Sequence, residues 1–252
     1  MKLKSLLLGT SLSLIPQYAA AQCAVTDCQQ LGYTSLQKCD NGLKCPFGEY
    51  WACPKVEEKA VLGECTGYAK NCKIADILNS DGTCTTDKVN GKIPIGVVVY
   101  IGSDNCGQAL SLQELGKYVW LVQEVMCFSI IGPEVDEFDS CGNTQKLTGW
   151  CFEAARGARG YAPSSVPTTK GKWCLPAAGV GQSILDNYDK INSGLSKARG
   201  KMLTSKSNYD YWNWASSEAS GDGALIWCYA SDDWSGSVKI EDFAYVRPVI
   251  AF

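Results

Sequence analysis

The sequence lacks histidine entirely, although the chain is 252 residues long. Without an imidazole, Ser-His-Asp and Cys-His catalysis are excluded, and no zinc site can use a histidine ligand. The cysteines also lack the C-x-x-C spacing that zinc sites favour. The sequence therefore predicts no metal, no cofactor and no catalytic residue, and we expect a protein that is not an enzyme.

Long apolar runs and concentrated positive charge are scarce as well. After residue 21, no segment approaches the ~20 apolar residues that a membrane-spanning helix needs. The formal net charge is −3 and no basic cluster stands out, which argues against a nucleic-acid partner. We therefore expect no transmembrane segment and no bound nucleic acid.

The first residues, in contrast, have the composition of an export signal. A basic start is followed by an apolar stretch at 6–15 and by three alanines at 19–21. A buried helix is the alternative, but both flanks favour a signal peptide over residues 1–21. Gln22 stands where a lipid-attachment signal before Cys23 would need a small residue. We expect an unlipidated protein that is secreted, periplasmic or located at the cell surface.

Cysteine is abundant, with 14 residues that all follow the predicted cleavage site. In an exported chain, an even number predicts an oxidised framework, here of up to seven disulfides. We interpret residues 22–90 as a small disulfide-stapled module, because a turn-rich segment buries too little apolar surface to fold without crosslinks. A partner-binding knot is the alternative reading of this module. The cysteines predicted to form disulfides are Cys23, Cys28, Cys39, Cys45, Cys53, Cys65, Cys72, Cys84, Cys106, Cys127, Cys141, Cys151, Cys174 and Cys228.

A larger domain is predicted over residues 91–252. Residues 93–101 are continuously apolar and rich in β-branched side chains, which predicts a buried strand. A turn and a second strand at 108–112 follow, so these segments form a hairpin. We expect its first strand to pair with the last apolar run of the chain, at 246–252.

Helices are predicted in two places, and one segment is left open. Residues 151–159 have alanines and charges at helical spacing, and residues 180–198 have apolar side chains every three to five positions. Gly200 supplies a stop for the second helix. Residues 119–131 fit either a strand or a helix, and the acidic residues 133–139 predict a solvated loop.

The C-terminal segment 209–252 contains short apolar and aromatic runs separated by small polar turns, which predicts consecutive antiparallel strands. Tyrosine, tryptophan, serine and aspartate are enriched in and beside these turns. Rigid aromatic side chains mixed with adaptable polar ones are typical of a recognition surface. Tyr209, Tyr211, Tyr229 and Trp234 are the aromatic candidates, whereas Trp214 is expected in the core.

Several motifs resemble those of a known family. Trp-Cys-Leu-Pro-Ala-Ala-Gly-Val at 173–180, Trp-Ala-Ser-Ser-Glu at 214–218 and Tyr-Val-Arg-Pro-Val-Ile-Ala-Phe at 245–252 are similar to the C-terminal domain of bacterial collagen-like surface adhesins. The opening strand at 92–100 and Asn-Thr-Gln at 143–145 fit the same family. The resemblance implies an α+β protein whose larger domain is C-type-lectin-like, a twisted antiparallel sheet with two helices and termini close together, preceded by the small disulfide-rich module.

The domain also resembles the variable proteins of diversity-generating retroelements, in which selected C-terminal codons are mutagenised on a constant scaffold. This resemblance adds further candidates to the aromatic ones. The predicted ligand-binding residues are Tyr209, Tyr211, Ala219, Asp222, Gly223, Ile226, Tyr229, Asp232, Asp233, Trp234, Lys239, Glu241 and Asp242. Cys228 has two readings, because parity pairs it, for example with Cys174, whereas the resemblance places it on the tolerant recognition face.

Departures from related proteins limit what the resemblance implies. The Glu-Pro-Asn, Gln-Pro-Asp and Trp-Asn-Asp triplets of calcium-dependent lectins are absent, so calcium-dependent sugar binding is not expected. Adjacent strand residues point to opposite faces, so the pairs Asp232-Asp233 and Glu241-Asp242 predict solvated turns rather than catalytic dyads. Arg247 stands between apolar residues and is expected to be buried and charge-paired.

Together these features predict a secreted or cell-surface binding or adhesion protein. Its C-terminal aromatic and polar face would recognise a protein or glycan ligand on another cell or on a phage. Two alternatives remain open, an exported carbohydrate hydrolase that uses a pair of carboxylates and a structural envelope component crosslinked through its cysteines.

Overall fold

A computed structural model describes residues 37–44, 50–52, 59–122, 127, 136–220, 223–231, 233–239 and 242–252. The predicted signal peptide lies outside these residues. The chain divides into two compact units, Met1–Glu58 and Lys59–Phe252. In the first unit, strands β1 (Gln37–Lys44) and β2 (Tyr50–Ala52) pair antiparallel, with an irregular register between Lys38 and Leu43.

The second unit has a mixed α+β architecture with largely antiparallel sheets, so the predicted α+β class is confirmed. Its strands are β3 (Ile77–Asn79), β4 (Cys84–Thr85), β5 (Pro94–Ile101), β6 (Gly107–Ser111), β7 (Lys117–Tyr118), β8 (Trp173–Cys174), β9 (Trp212–Glu218), β10 (Gly223–Cys228), β11 (Asp233–Val238), β12 (Ala244–Tyr245) and β13 (Val249–Ala251). Its α-helices are α1 (Ser140–Lys146), α2 (Glu153–Gly160), α3 (Ala178–Asp186) and α4 (Tyr188–Ala198).

A six-stranded sheet with the order β4-β3-β5-β6-β13-β8 contains the predicted hairpin. Strand β5 is continuously apolar because both of its faces are covered: Val97 belongs to one core cluster and Val98 to another. The predicted pairing of β5 with the last strand is wrong. Strand β6 occupies that edge of β5 as its hairpin partner, and β13 pairs with β6 and β8 instead.

The predicted helix at 180–198 consists of two helices, α3 and α4, which are interrupted at Asn187. The Asn187 backbone departs from helical geometry, with φ −113° and ψ 21°, and its side-chain amide donates to the Ser183 carbonyl at 3.0 Å. The expected apolar stripe is buried in the same cluster as Val97 and includes Ile184 and Leu195. The predicted short helix at 151–159 is confirmed as α2.

The second sheet has the order β11-β10-β9-β12-β7 and separates two clusters of buried side chains. Along β10, Ile226 packs in the cluster of Trp214, whereas Trp227 packs in the cluster of Val180. Trp214 is fully buried, as predicted. Strand β11 is the outermost strand of this sheet, and it pairs with β10 in a continuous antiparallel register.

Four disulfides are present in the described part of the chain, and they are compatible with an extracytoplasmic location. They join Cys65 to Cys106, Cys72 to Cys84, Cys127 to Cys151 and Cys141 to Cys174. The other cysteines of the predicted framework, apart from Cys228, lie outside the residues whose side chains are described: Cys23, Cys28, Cys39, Cys45 and Cys53.

The predicted disulfide at Cys228 is wrong, because Cys228 is a free, buried thiol. Helix α1 brings Cys141 to β8, with 5.1 Å between the Cα atoms of Cys141 and Cys174, so Cys174 already has a partner. The Cys228 Sγ lies 3.7 Å from the Asn208 carbonyl. With one thiol free, the 14 cysteines can form at most six intrachain disulfides rather than seven.

The boundary between the units also differs from the predicted one after residue 90. Residues 59–90 contribute β3 and β4 to the six-stranded sheet, and Cys65 is crosslinked to Cys106. The polar turns of this segment therefore connect strands of the second unit.

Arg247 is buried as predicted, but the expected charge pairing is wrong for the residues that can be described. Its guanidinium donates to the Ser111 carbonyl from Nε at 3.2 Å and from Nη2 at 3.1 Å, and to the Lys201 carbonyl. Backbone carbonyls therefore replace a carboxylate, and burial lowers the Arg247 pKa. No helix within the described ranges is long and apolar enough to span a membrane.

Candidate functional site

The structure separates the predicted ligand-binding residues into exposed and buried groups. Tyr209 is 65% exposed, Ala219 and Asp242 are exposed, and Trp234 is partly buried. The buried members of the predicted set are Tyr211, Gly223, Ile226, Tyr229 and Lys239. The side chains of the remaining four lie outside the described residues, namely Asp222, Asp232, Asp233 and Glu241.

The prediction that Tyr229 lies on the ligand-binding surface is wrong, because only 2% of this residue is exposed. Its ring packs against Tyr188 with a centroid distance of 5.7 Å, and it belongs to the cluster around α3 and α4. Burial raises the pKa of its phenol. Tyr229 therefore stabilises the core and does not form part of an outer face.

Tyr211 is also structural. Its ring stacks on Tyr245 with a centroid distance of 3.8 Å and an interplanar angle of 9°. Its hydroxyl donates to Glu114, whose carboxylate also contacts the Lys201 ammonium. These contacts account for its burial, so of the two tyrosines only Tyr209 is open to a ligand.

Lys239 is enclosed by an ion pair and an aromatic ring. Its ammonium contacts the Glu218 carboxylate and lies 5.0 Å from the centroid of the Trp120 ring. A buried lysine is stable only with such partners, so this residue braces the sheet and is not presented to a ligand. Gly223 and Ile226 lie on buried positions of β10.

Strand β11 is the part of the predicted surface that remains available. Trp234 lies opposite Trp227 in the register, and its Nε1 donates to the Gln182 Oε1 at 2.8 Å, which ties β11 to α3. Ser235 and Gly236 are exposed. Ser237 donates to Asp242 at 2.5 Å.

We call this surface the β11 face. It takes in both sides of the outermost strand, with Trp234, Gly236 and Ala219 on one side and Ser235 and Ser237 with Asp242 on the other. Ala219 belongs to it because its methyl group lies close to Gly236: a Cβ added to that glycine would be 3.1 Å from the Ala219 Cβ. The face thus combines one aromatic ring, held by a hydrogen bond, with small and polar neighbours.

A second site, which the sequence does not reveal, is a cavity of about 500 Å³ beside the β5–β6 hairpin and α1. We call it the acidic cleft and define it by the side chains that carry its chemistry, Tyr100, Asp104, Gln108, Asp136, Phe138 and Asp139. Its aromatic side is formed by Tyr100 and Phe138, whose rings stack with a centroid distance of 5.3 Å and an angle of 16°. A Cβ on Gly179 would lie 2.2 Å from the Phe138 ring, so a larger residue there would displace this partly exposed ring.

The carboxylates of the cleft are held by backbone amides. Asp139 accepts from Gly142 at 2.7 Å and so caps α1, and Asp104 accepts from Cys106 at 2.9 Å. Asp136 accepts from the amides of Phe138 and Asp139 at 2.8 and 3.0 Å. These two hydrogen bonds lower the pKa of Asp136, which therefore stays ionised near neutral pH.

Gln108 provides a buried acceptor that lacks a partner. The residue lines the cleft but is only 7% exposed, and its Nε2 donates to the Phe138 carbonyl at 2.6 Å. Its Oε1 is buried and accepts no hydrogen bond from the described residues. A flipped amide would direct Oε1 at the Phe138 carbonyl, so the hydrogen bond supports this orientation.

The sequence feature that points to this cleft is the acid-rich segment 133–139, which by itself predicts only a solvated loop. Asp136, Phe138 and Asp139 are indeed exposed. The sequence does not show that the segment contacts Tyr100 and Gln108, which lie 38 and 30 positions before Phe138, because that proximity depends on tertiary packing.

A metal ion does not fit the donor groups at this position. Within the described ranges, Cys65, Asp104 and Cys106 form the one group of three potential ligand atoms that lie within 4.8 Å of one another. Both cysteines are joined in a disulfide and cannot act as thiolate ligands. The carboxylates of Asp104, Asp136 and Asp139 do not form such a group.

No protein-family model matches the chain, and no curated protein matches it. The structure is similar to the crystal structure of a fimbrial protein from Bacteroides ovatus, with a TM-score of 0.51 and 14% sequence identity. The match covers 72% of this chain and 49% of the fimbrial protein, so this chain spans about half of that protein's length. At this identity the likeness concerns the fold.

Proposed function

We propose that the second unit is a binding module of a secreted or cell-surface protein that takes a protein or glycan ligand on the β11 face. The observation that carries this proposal is the position of β11. It is the outermost strand of its sheet, and it presents a hydrogen-bonded indole beside exposed small and polar residues.

The chemistry of the β11 face suits recognition. The Trp234 ring is held by Gln182 and by its packing against Trp227 at 5.5 Å, so little side-chain entropy is lost when a ligand covers it. Tryptophan anchors of this kind dominate many interfaces. The serines and the strand edge supply hydrogen-bonding groups that a glycan or an added peptide strand can use.

The disulfides and the fold likeness to a fimbrial protein support a location outside the cytoplasm. We also propose, on the motifs at 173–180, 214–218 and 245–252, that the unit belongs with the adhesin C-terminal domains and has their C-type-lectin-like fold. The position of β13 in the same sheet as β5 and β6 supports nearby ends for this unit.

The retroelement hypothesis is retained in a narrower form. Gly223, Ile226 and Lys239 are buried, so diversification there would alter packing rather than an outer surface. Among the described candidates, Ala219 and Asp242 are exposed and tolerate change most readily. A genomic locus without a reverse-transcriptase gene and a near-copy template would discard this hypothesis.

The test of the β11 face uses the oxidised full chain on arrays of glycans and of intact bacterial and host cells. Trp234→Ala removes the anchor, and we expect binding to fall about thirtyfold, because such an anchor contributes about 2 kcal/mol. Ala219→Arg adds a long side chain on the Trp234 side of the strand, beside Gly236, without removing a packed ring, and it should also weaken binding.

Phe138→Ala is the matched control, because it removes a half-exposed ring in the acidic cleft. Circular dichroism checks that each variant is folded. Unchanged binding by both β11 variants would refute the β11 face. Loss of binding by Phe138→Ala alone would assign recognition to the cleft.

A further inference from the structure

We propose that the acidic cleft binds an organic cation, namely the ammonium or guanidinium group of a lysine or arginine side chain on a partner polypeptide. This site shares no residue with the β11 face, so the inference does not depend on the proposed function. Three independent properties of the cleft support it: its charge, its aromatic wall and its unpartnered acceptor.

The charged side chains that line the cleft are all negative, although Lys146 acts electrostatically on Asp136 from outside the lining. Its ionisable side chains, apart from the disulfide-bonded cysteines and Tyr100, are Asp104, Asp136 and Asp139, and no described lysine or arginine lines it. Burial raises the pKa of Tyr100 first, and the carboxylates of Asp104, Asp136 and Glu137 raise it further. The carboxylates therefore converge on one aromatic side chain and create a negative potential that attracts a cation.

The aromatic wall favours an organic cation over an uncharged polar ligand. Phe138 is 42% exposed and lies parallel to Tyr100, so the pair offers π surface next to the carboxylates. Ammonium and guanidinium groups bind over such rings, and a guanidinium also stacks on them. The flanking methylene groups of lysine or arginine would contact the same rings.

Gln108 adds a requirement for a hydrogen-bond donor. A buried acceptor without a partner is unfavourable, and a ligand N–H group would satisfy its Oε1. Lysine and arginine side chains supply several hydrogen-bond donors and no acceptor, which matches the carboxylates and the Gln108 Oε1 of the cleft. An anion would meet three carboxylates and an acceptor, so the cleft disfavours it.

The size of the cleft also fits a side chain better than a bare ion. Its volume of about 500 Å³ lies within the range of about 300–1,000 Å³ that is typical of small-molecule sites. The carboxylates of Asp104, Asp136 and Asp139 line this volume but are not grouped as closely as metal ligands are.

The experiment is a titration of the ¹⁵N-labelled, oxidised full chain, followed by NMR. The probes are Nα-acetyl-lysine amide and Nα-acetyl-arginine amide, with Nα,Nε-diacetyl-lysine amide as the uncharged control. We expect saturable shifts for the backbone amides at 104–108 and 136–145 with at least one charged probe, and at least tenfold weaker binding of the control. The better probe identifies ammonium or guanidinium as the preferred group.

Variants without the cleft carboxylates test whether the charged probes bind in the acidic cleft. The triple variant Asp104→Asn/Asp136→Asn/Asp139→Asn keeps side-chain acceptors for the loop and the helix cap, because asparagine also caps helices. We expect it to weaken binding at least tenfold. The triple variant Asp87→Asn/Asp189→Asn/Asp210→Asn makes the same net-charge change at exposed positions elsewhere and should bind within twofold of the unmodified chain.

Gln108→Met tests the acceptor separately and should weaken binding about threefold or more while the spectrum remains that of a folded protein. The proposal is overturned if neither charged probe gives saturable shifts. It is also overturned if the diacetylated control binds equally well, if the two triple variants behave alike, or if calcium shifts the cleft amides while both charged probes do not.

Discussion

Removal of the Cys141–Cys174 disulfide should destabilise the second unit by an amount that follows from the length of the loop it closes. The two cysteines are 33 positions apart in the sequence. In the chain-entropy description, a crosslink of this span restricts the unfolded chain by about 3.7 kcal/mol at 25 °C. For a unit of this size, each kcal/mol corresponds to about 2–4 °C, so Cys141→Ala/Cys174→Ala should lower Tm by about 7–15 °C.

The native state should change little in this variant, because α1 has other attachments to the segment after β8. The Leu175 amide donates to the Thr144 hydroxyl at 2.9 Å, and the Ala177 amide donates to the Ser140 hydroxyl at 2.8 Å. Both hydroxyl groups are buried. The loss of stability is therefore expected to arise mainly in the unfolded chain.

The assay is differential scanning calorimetry of the oxidised full chain, with Cys72→Ala/Cys84→Ala as the comparison. That disulfide has a sequence separation of only 12, so its removal should cost about 2.8 kcal/mol. A Tm decrease for the shorter crosslink that equals or exceeds the decrease for the longer one would refute the loop-length reasoning. An unchanged Tm for Cys141→Ala/Cys174→Ala would refute the pairing itself.

Two further predictions concern the core. Gly194→Ala should lower Tm by several degrees, because its Cβ would lie 2.4 Å from the Ala75 carbonyl oxygen. As the control, Gly160→Ala meets no atom within 4 Å and should leave Tm unchanged or slightly higher. Equal Tm values for the two variants would contradict the close approach of α4 to Ala75. Because Cys228 is a free, buried thiol, it should resist iodoacetamide in the native protein and react after denaturation without reductant. Peptide mass spectrometry measures the modification. If Cys228 stays unreactive in denaturant, it is crosslinked.

The aromatic residues of the C-terminal segment show where sequence reasoning stops. Tyr209 and Tyr211 have the same chemistry and are separated by one residue, yet Tyr209 is exposed and Tyr211 stacks on Tyr245. Tyr229 stands beside a polar turn and is nevertheless buried against Tyr188. Composition indicates that tyrosines in this segment can bind a ligand when they are exposed. Packing between elements that are distant in the sequence decides which of them are exposed.

Lys239 shows that the sequence also does not identify the partner of a charged side chain. In the sequence Lys239 is followed by Glu241 and Asp242, which local spacing offers as its carboxylate partners. The partner, Glu218, lies at the end of β9, and the Trp120 ring covers the ammonium. An ion pair between strands depends on their arrangement in the sheet, which neither helical nor strand periodicity contains.

Local patterns, in contrast, were sufficient for several elements. The uninterrupted β-branched run of β5 predicts a strand covered on both faces, and the alanine and charge spacing predicts α2. Trp214 was placed in the core. The interruption at Asn187 was missed because the apolar stripe continues across it on the same side of α3 and α4.

By itself, the sequence determined the buried strand, the main helices and the absence of imidazole chemistry, because these depend on composition and short-range periodicity, whereas the α+β class was implied by the family resemblance. The tertiary structure decided the partner of each described cysteine, the free thiol at Cys228, the residues that remain on the β11 face and the convergence of Tyr100, Gln108 and Phe138 on one cleft. The physical reason is that these features join residues far apart in the chain, and their proximity arises only when the sheets and helices pack.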